Sequence, residues 1–329
     1  MQRAKRFSAL KTVLPIFIGL GLVAYSYWST PPLVREQIFS YISTVDLRYV
    51  FASLVMAVLS HISRAVRWNY LLRPMGYSVG VVPSVFFVFM AYFANLGIPR
   101  SGEVLRASSL RTYEKVPFEK AFGTIVTERV IDLVMLFLII GLSLLLQTRL
   151  ILDWISANTA TLIFSVLFLV VAIAGLIFMV RLSSKATSPW GIKLHEFFKG
   201  IQEGLSSILQ MKNKSYFIAH TLFIWACYVG MFVVIKYTVA ETASLGLSEL
   251  LVAFIAGSFA MTATNGGVGL YPIVVRASLG LFGISYASGE AFGWIVWSSQ
   301  TLIIVVFGAI SFLSLPLWYK VKRRLFLTG

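Results

Sequence analysis

An all-α polytopic membrane protein is the fold class that this sequence predicts, and three observations predict it. The 329 residues are 58% hydrophobic and only 12% charged, with a mean hydropathy of +0.84, whereas ordinary globular domains carry about 25% charged residues. Six segments are apolar over roughly the 20 residues that a helical span needs. Two more apolar segments are broken by Pro, Gly and Asn, and these two match each other at a fixed offset. One soluble core cannot hide so much apolar surface. The formal net charge of +15 therefore reads as basic cytoplasmic loops. No basic run interleaved with aromatics suggests nucleic acid. The single cysteine, Cys227, excludes a disulfide within the chain.

The first segment, 10–28, follows a basic head as a signal peptide would. Bulky Tyr25, Tyr27 and Trp28 stand where a small-residue cleavage site belongs, so it reads as an uncleaved first span. The second span is 49–66. Segment 81–112 comes next, broken at "NLGIPRSGE", and span 124–146 follows. Span 159–181 opens the second half. Residues 186–214 are too polar to span, but Ile192, Phe197, Ile201, Leu205 and Ile208 recur at roughly helical spacing, which predicts an interfacial cytoplasmic helix. Span 216–239 leads to 250–284, broken at "TATNGGVGLYP", and 290–315 is the last span.

Charge decides how the segments thread. Both termini and the loop after residue 180 are basic and belong in the cytoplasm. Segments 64–80, with Arg64, Arg67 and Arg73, and 100–120 are basic too. Both are cytoplasmic only if 81–112 enters and leaves on one side. Segments 240–249 and 285–290 are poor in bases, which makes 250–284 re-entrant from outside. Each half then holds three spans and a broken re-entrant hairpin; the alternative is eight plain spans. Backbone that leaves the helix at membrane depth requires burial in protein or a watery cavity.

Shifting the chain by 170 residues aligns the two broken regions. Over positions 95–126, 11 of 32 residues are identical, including Asn95/Asn265, Gly97/Gly267 and the "RAS" triplets at Arg106/Arg276. Three crossings separate equivalent points, so the halves are expected to be inverted. The single membrane domain, 1–329, then divides into a first half, 1–150, and a second half made of 151–185, the interfacial helix 186–214 and 215–329. Inverted repeats with broken helices are a transporter architecture, and paired interrupted segments point to the substrate site.

"NLGIPRSGEVLR" followed by "TIVTERVIDL" resembles the lysylphosphatidylglycerol synthase transmembrane region, a flippase-like membrane family. The residues that match its pattern are Asn95, Pro99, Arg100, Gly102, Glu103, Arg106, Thr127, Glu128, Arg129 and Asp132. The later family motif is met only in part by "TNGGVG": its prolines are missing, and Pro272 stands near where a Glu is expected. The resemblance covers roughly 10–315. It implies movement of a lipid between leaflets, such as an aminoacylated phosphatidylglycerol or a lipid-linked sugar. Large members carry a soluble aminoacyl-transferase domain after the membrane part. With no such domain before Gly329, this chain is expected not to add the amino acid itself, a separate lipid-modifying enzyme being the partner that does.

The candidate substrate-binding residues are Asn95, Arg100, Glu103, Arg106, Glu128, Arg129, Asp132, Asn265 and Arg276. Pro99, Gly102, Gly266, Gly267 and Gly269 are expected to shape the hairpin turns. A membrane-embedded charge costs about 2.5–3.5 kcal/mol on insertion scales and so faces partners or cavities. Arginine offers a lipid phosphate a bidentate fork, and glycine turns expose N–H groups to anions. The structural readings stand beside these: Arg106 locks the hairpin to Glu103, Arg129 snorkels, the glycines pack a tight tip, and the asparagines cap helix limbs. Glu128 and Asp132, one turn apart, are the one acid pair that suits an intramembrane transferase. The three histidines lack metal-ligand spacing, and no cofactor motif occurs. The expectation is a non-enzymatic lipid transporter of the cell membrane with both termini cytoplasmic; the rivals are a transferase acting on a lipid carrier and a scaffold subunit.

Overall fold

The computed structural model describes residues 21–147 and 199–327, apart from 22, 201, 205 and 207. Among these residues the secondary structure is helical throughout. After a helical stretch at 23–29, nine helices follow: α1 (Pro32–Ser43), α2 (Leu47–Leu72), α3 (Val81–Gly97), α4 (Ser101–Glu114), α5 (Phe118–Leu146), α6 (Lys214–Ile235), α7 (Leu247–Ala263), α8 (Leu270–Gly280) and α9 (Tyr286–Leu327). Each boundary has a local cause. Asp46 caps α2 by accepting from the Arg48 N–H. Pro31 and Pro117 precede α1 and α5. Gly76, with φ 86°, closes the turn after α2.

Among the described residues, four helical stretches are long and apolar enough to cross a membrane: Leu47–Met75, Phe118–Leu146, Lys214–Thr238 and Tyr286–Lys322. They correspond to four of the six expected spans. The expected span 159–181 lies outside the described residues, as does most of 10–28. The inverted relation of the halves depends on those spans and so also lies outside them. The described positions between 199 and 210 are helical, and Glu203 there lies 3.5 Å from Lys120 on α5. The rest of the expected interfacial helix is outside the described residues.

Both broken segments fold as helical hairpins. The limbs α3 and α4, of 17 and 14 residues, measure about 26 and 21 Å at 1.5 Å per residue, short of a hydrocarbon core of about 30 Å. Gly102 lets them close, since a Cβ there would lie 2.0 Å from the Ala91 carbonyl oxygen. The second hairpin, α7 and α8, turns through Gly266, Gly267 and Gly269 at φ 62°, 80° and 72°. The two tips touch. Asn265 Nδ2 donates to the Gly97 carbonyl at 3.1 Å, and a Cβ on Gly266 would meet Leu96 at 2.7 Å.

Each hairpin packs into its own apolar core. Trp68, Leu72, Phe87, Leu110 and Ile125 bind α2 through α5 together. Ile224, Phe232, Phe254, Val275 and Phe292 do the same for α6 through α9. Ala57, Phe89, Met231 and Ile303 join the two. α5 keeps Leu133, Val134, Phe137 and Leu138 about half exposed or more, the surface of a helix that faces lipid.

The structure corrects one expectation about charge. Arg64 and Arg67 were expected in a basic cytoplasmic loop, 64–80. They lie inside α2, 2% and 0% exposed. The helix carries them into the interior because α5 supplies carboxylates opposite, so they do not count as loop bases.

Candidate functional site

Three helices converge on a buried cluster of ions. From α2, Arg64 and Arg67 project one turn apart. From α5 come Glu128, Arg129 and Asp132, the acids again one turn apart. Arg106 and Glu103 come from α4. Asp132 sits between two guanidiniums, 2.6 Å from Arg64 and 2.9 Å from Arg67. Glu128, 1% exposed, lies 3.4 Å from Arg67 and 2.7 Å from Arg106. The Arg106 contact is a close ion pair without hydrogen-bond alignment, since Glu128 Oε2 has no hydrogen-bond partner among the described residues. Glu103 lies 3.3 Å from Arg129 and accepts from Asn95 at 3.3 Å. Four guanidiniums thus face three carboxylates, leaving one net positive charge.

Neutral groups complete the cluster. Arg64 donates to the Tyr228 hydroxyl at 3.1 Å, and Arg67 to Thr221 at 3.2 Å, tying α6 to the same charges. The Arg106 guanidinium stacks 3.7 Å from the centre of the Trp68 ring, whose N–H donates to Thr124. Such cation–π contacts are worth about 2 kcal/mol when desolvated. The buried part of such an ion network is costly to break, because removing one member leaves another charge short of a partner.

The cluster opens on one side into a cavity of about 370 Å³ between the two hairpins. His61, Arg64, Tyr92, Arg129, Asp132 and Tyr228 form its polar end. Trp225, Met231, Phe232, Phe254 and Tyr271 form an apolar wall, with Ser258, Thr262 and Gln300 between. Exposed Leu133 and Thr262 stand at its rim. A charged end joined to an apolar wall, reached beside a lipid-facing helix, suits an amphiphile. Among these arginines, Arg129 is the most available: 41% of its side chain is exposed, and its ion partners lie at 3.3 and 3.7 Å.

The expected residues divide clearly. Glu103, Arg106, Glu128, Arg129 and Asp132 come together. Arg106 pairs with Glu128 rather than with Glu103, and is 3% exposed behind the cavity wall. Asn95 accepts from the Gly102 N–H at 2.7 Å, capping α4 from the preceding limb. Asn265 bridges the tips. Pro99 and Arg100 are exposed at the turn, with Arg100 left-handed at φ 58°. The Gly266 carbonyl accepts from Trp297, and a Cβ on Gly267 would meet Met261 at 2.8 Å, so that turn is occupied by packing. Arg276 stands apart, 3.0 Å from Glu290 and 4.0 Å over the Tyr286 ring.

Sequence reasoning missed Arg64, Arg67, His61, Tyr92 and Tyr228. A signal existed for three of them: His61, Arg64 and Arg67 recur every three residues in "HISRAVRW", one stripe of a helix. Among the described residues no group of three His, Cys, Asp or Glu side chains is placed to hold a metal.

Residues 13–310 match the family described as the lysylphosphatidylglycerol synthase TM region. The chain is similar to a UPF0104 membrane protein of Methanocaldococcus jannaschii, 26% identical over 128 residues, or 38% of this chain and 36% of that one. A UPF0104 membrane protein of Pyrococcus horikoshii is 28% identical over 134 residues, 38% of each chain. A Haloferax volcanii protein named glycosyltransferase AglD is 29% identical over 101 residues, 30% of this chain and 16% of that one. The matched stretch thus spans well under half of the length of each relative. No solved structure matches the chain.

Proposed function

This chain belongs to the lysylphosphatidylglycerol synthase TM region family, a family of membrane-lipid function, and from that premise we propose that it moves an anionic or head-group-modified lipid between bilayer leaflets. The observation that carries this reading is the cavity between the hairpins, with a cationic polar end, an apolar wall and a rim beside lipid-facing α5. The lipid phosphate meets Arg129 first and Arg64 behind it. A charge-assisted hydrogen bond is worth about 1.5–3 kcal/mol net, enough to favour an anion and weak enough to release it. The acyl tails stay in the bilayer, and only the head group needs shelter. In the opposite-facing state we assign the external approach to the groove of about 480 Å³ along α1 and α9, which reaches Glu290, the partner of Arg276.

What supports transport over group transfer is the state of the acids. Glu128 and Asp132 each have three arginines within 4.0 Å, which disfavours either carboxylate as a general base. The likeness to a protein named as a glycosyltransferase covers 16% of it and leaves the lipid-carrier class open as cargo. We place the chain in the cell membrane with both termini cytoplasmic and a separate enzyme modifying the lipid.

Reconstitution in vesicles with head-group-labelled lipids tests the function. Arg129→Gln should slow leaflet exchange about tenfold or more, the equivalent of one charge-assisted bond, with a stability loss of at most about 1 kcal/mol because its ion pairs are partly exposed. Wild-type exchange by this variant would remove the proposed phosphate contact. Single-cysteine labelling on a Cys227→Ser background tests the topology. External labelling at position 113 would end the re-entrant assignment of the first hairpin.

A further inference from the structure

Resting on the transport reading, we propose that the cavity selects an anionic head group bearing hydroxyls, rejects one bearing an ammonium, and reads the hydroxyl through His61. The argument begins with the carboxylates. An ammonium inside protein needs an acid, yet every acid in the cluster is already engaged. Asp132 serves Arg64 and Arg67, with Arg129 at 3.7 Å. Glu128 serves Arg67 and Arg106. Glu103 serves Arg129 and Asn95. The cavity lining itself holds Arg64 and Arg129 against Asp132 alone. A cationic head group would have to break one of these pairs, and a break at Arg64, Arg67 or Arg106 strands a buried guanidinium. An unpaired charge placed against the wrong ligand is a common device of specificity. The aromatic wall does not reverse this. Trp225 and Phe232 each meet Phe254 edge to face, at centroid distances of 6.3 and 5.5 Å, so part of this aromatic surface is spent within the wall, and no carboxylate stands with it in the lining beyond Asp132.

His61 supplies the second observation. It lines the cavity and is 7% exposed. Its Nδ1 is enclosed and has no hydrogen-bond partner among the described residues. The ring is held by contacts with Phe89 and Tyr92, at centroid distances of 5.0 and 4.7 Å. Buried polar groups find partners in the great majority of cases. In its neutral form an imidazole offers one N–H and one lone pair, the complement of an alcohol. It stands one turn before Arg64 on α2, so a lipid whose phosphate meets Arg64 and Arg129 brings the substituent beyond the phosphate within reach of the ring. A site built to hydrogen-bond a hydroxyl discriminates strongly against the analogue that lacks it.

Three labelled probes of matched acyl chains test this: phosphatidylglycerol (anionic with hydroxyls), phosphatidylethanol (anionic without them) and lysylphosphatidylglycerol (with ammonium groups). Exchange in vesicles and thermal stabilisation of the detergent-purified protein are measured for each. Wild type should exchange phosphatidylglycerol about fivefold faster than phosphatidylethanol, the worth of about one neutral hydrogen bond, and lysylphosphatidylglycerol slowest. His61→Phe keeps the ring packing and should collapse the first ratio to within about twofold, while His61→Gln, which keeps a donor and an acceptor, should retain most of it. Equal handling of lysylphosphatidylglycerol and phosphatidylglycerol in both measurements overturns the charge argument. A hydroxyl preference that survives in His61→Phe overturns the role of His61. No exchange of any probe, with selective stabilisation intact, overturns the transport reading and leaves the selectivity standing.

Discussion

The two broken hairpins share a shape and differ in chemistry. Both carry an asparagine at or within two residues of the helix end, both contain an arginine at the same offset, and their tips touch through Asn265 and Gly97. In the first, Arg106 and Glu103 reach α5 and join an ion cluster with Arg64, Arg67, Glu128, Arg129 and Asp132. In the second, Arg276 has Glu290 as its one acidic partner among the described residues and stacks over Tyr286, with 21% of its side chain exposed. The glycine turn of the second is packed against Leu96, Met261 and Trp297. The comparison teaches that the hairpin shape does not need a buried ion cluster. Asparagine, glycine, apolar packing and the single Arg276–Glu290 pair suffice in the second half, so the larger cost of burying Arg64, Arg67, Arg106 and Glu128 beside the first has a reason other than shape, and the adjoining cavity offers one.

The largest expected effect comes from unbalancing the cluster. Asp132→Ala strands Arg64 and Arg67 in the interior and should destabilise by about 3–5 kcal/mol. Glu290→Ala also removes an acid, but its arginine reaches the surface, so about 1–2 kcal/mol is expected. Thermal unfolding in one detergent ranks the two. Equal losses would erase the distinction between the hairpins. A double variant, Asp132→Leu with Arg64→Met, should recover much of the loss, since a buried pair is often replaceable by apolar residues, while exchange activity stays low.

Next in size is the closure of the first hairpin. Gly102→Ala places a Cβ 2.0 Å from the Ala91 carbonyl, and backbone must move. Overpacking of this kind costs about 1–3 kcal/mol, occasionally more. Gly97→Ala, with nothing within 4 Å of the added atom, should change stability by less than about 0.5 kcal/mol. Chemical denaturation of both variants checks this, and a silent Gly102→Ala would mean that the limbs are not in contact.

Much of this was legible in the sequence, and the failures have physical causes. Apolar length exposed the spans, and the Pro, Gly and Asn breaks exposed both hairpins, because these residues act locally. Glu128 and Asp132 share a face by i, i+4 spacing alone. The partner of Arg106 was not legible: Glu103, three residues before it, and Glu128, on the next helix, are equally good acids, and only packing chooses. Arg64 and Arg67 were misplaced for a related reason. Counting bases at the end of an apolar run treats every arginine as a loop residue, whereas a helix with acids opposite can bury two of them. His61 carries no sequence signal beyond its three-residue spacing from Arg64.

The smallest effect concerns the exterior of the second half, where an acid is open to titration. Glu241, in the turn Glu241–Ser244 between α6 and α7, accepts from the Ser285 N–H at 2.8 Å and from its hydroxyl at 2.9 Å. The backbone bond from Ser285, immediately before α9, is the main reason its carboxyl is held below the usual carboxylate range. The sign follows: a depressed folded-state value means that the contribution is present above the ordinary range of about 4.3 and is lost as pH falls through the lowered one. Glu241 is exposed, so solvent screening limits the contribution to about 0.5 kcal/mol. Amide exchange at Ser285, corrected for its intrinsic pH dependence, should therefore lose protection as pH is lowered through that window. Glu241→Gln should abolish the pH dependence while leaving exchange in the first hairpin unchanged. Persistence of the pH dependence in that variant would assign it to another group and would place titratable charge in the second half that the comparison between the hairpins does not contain.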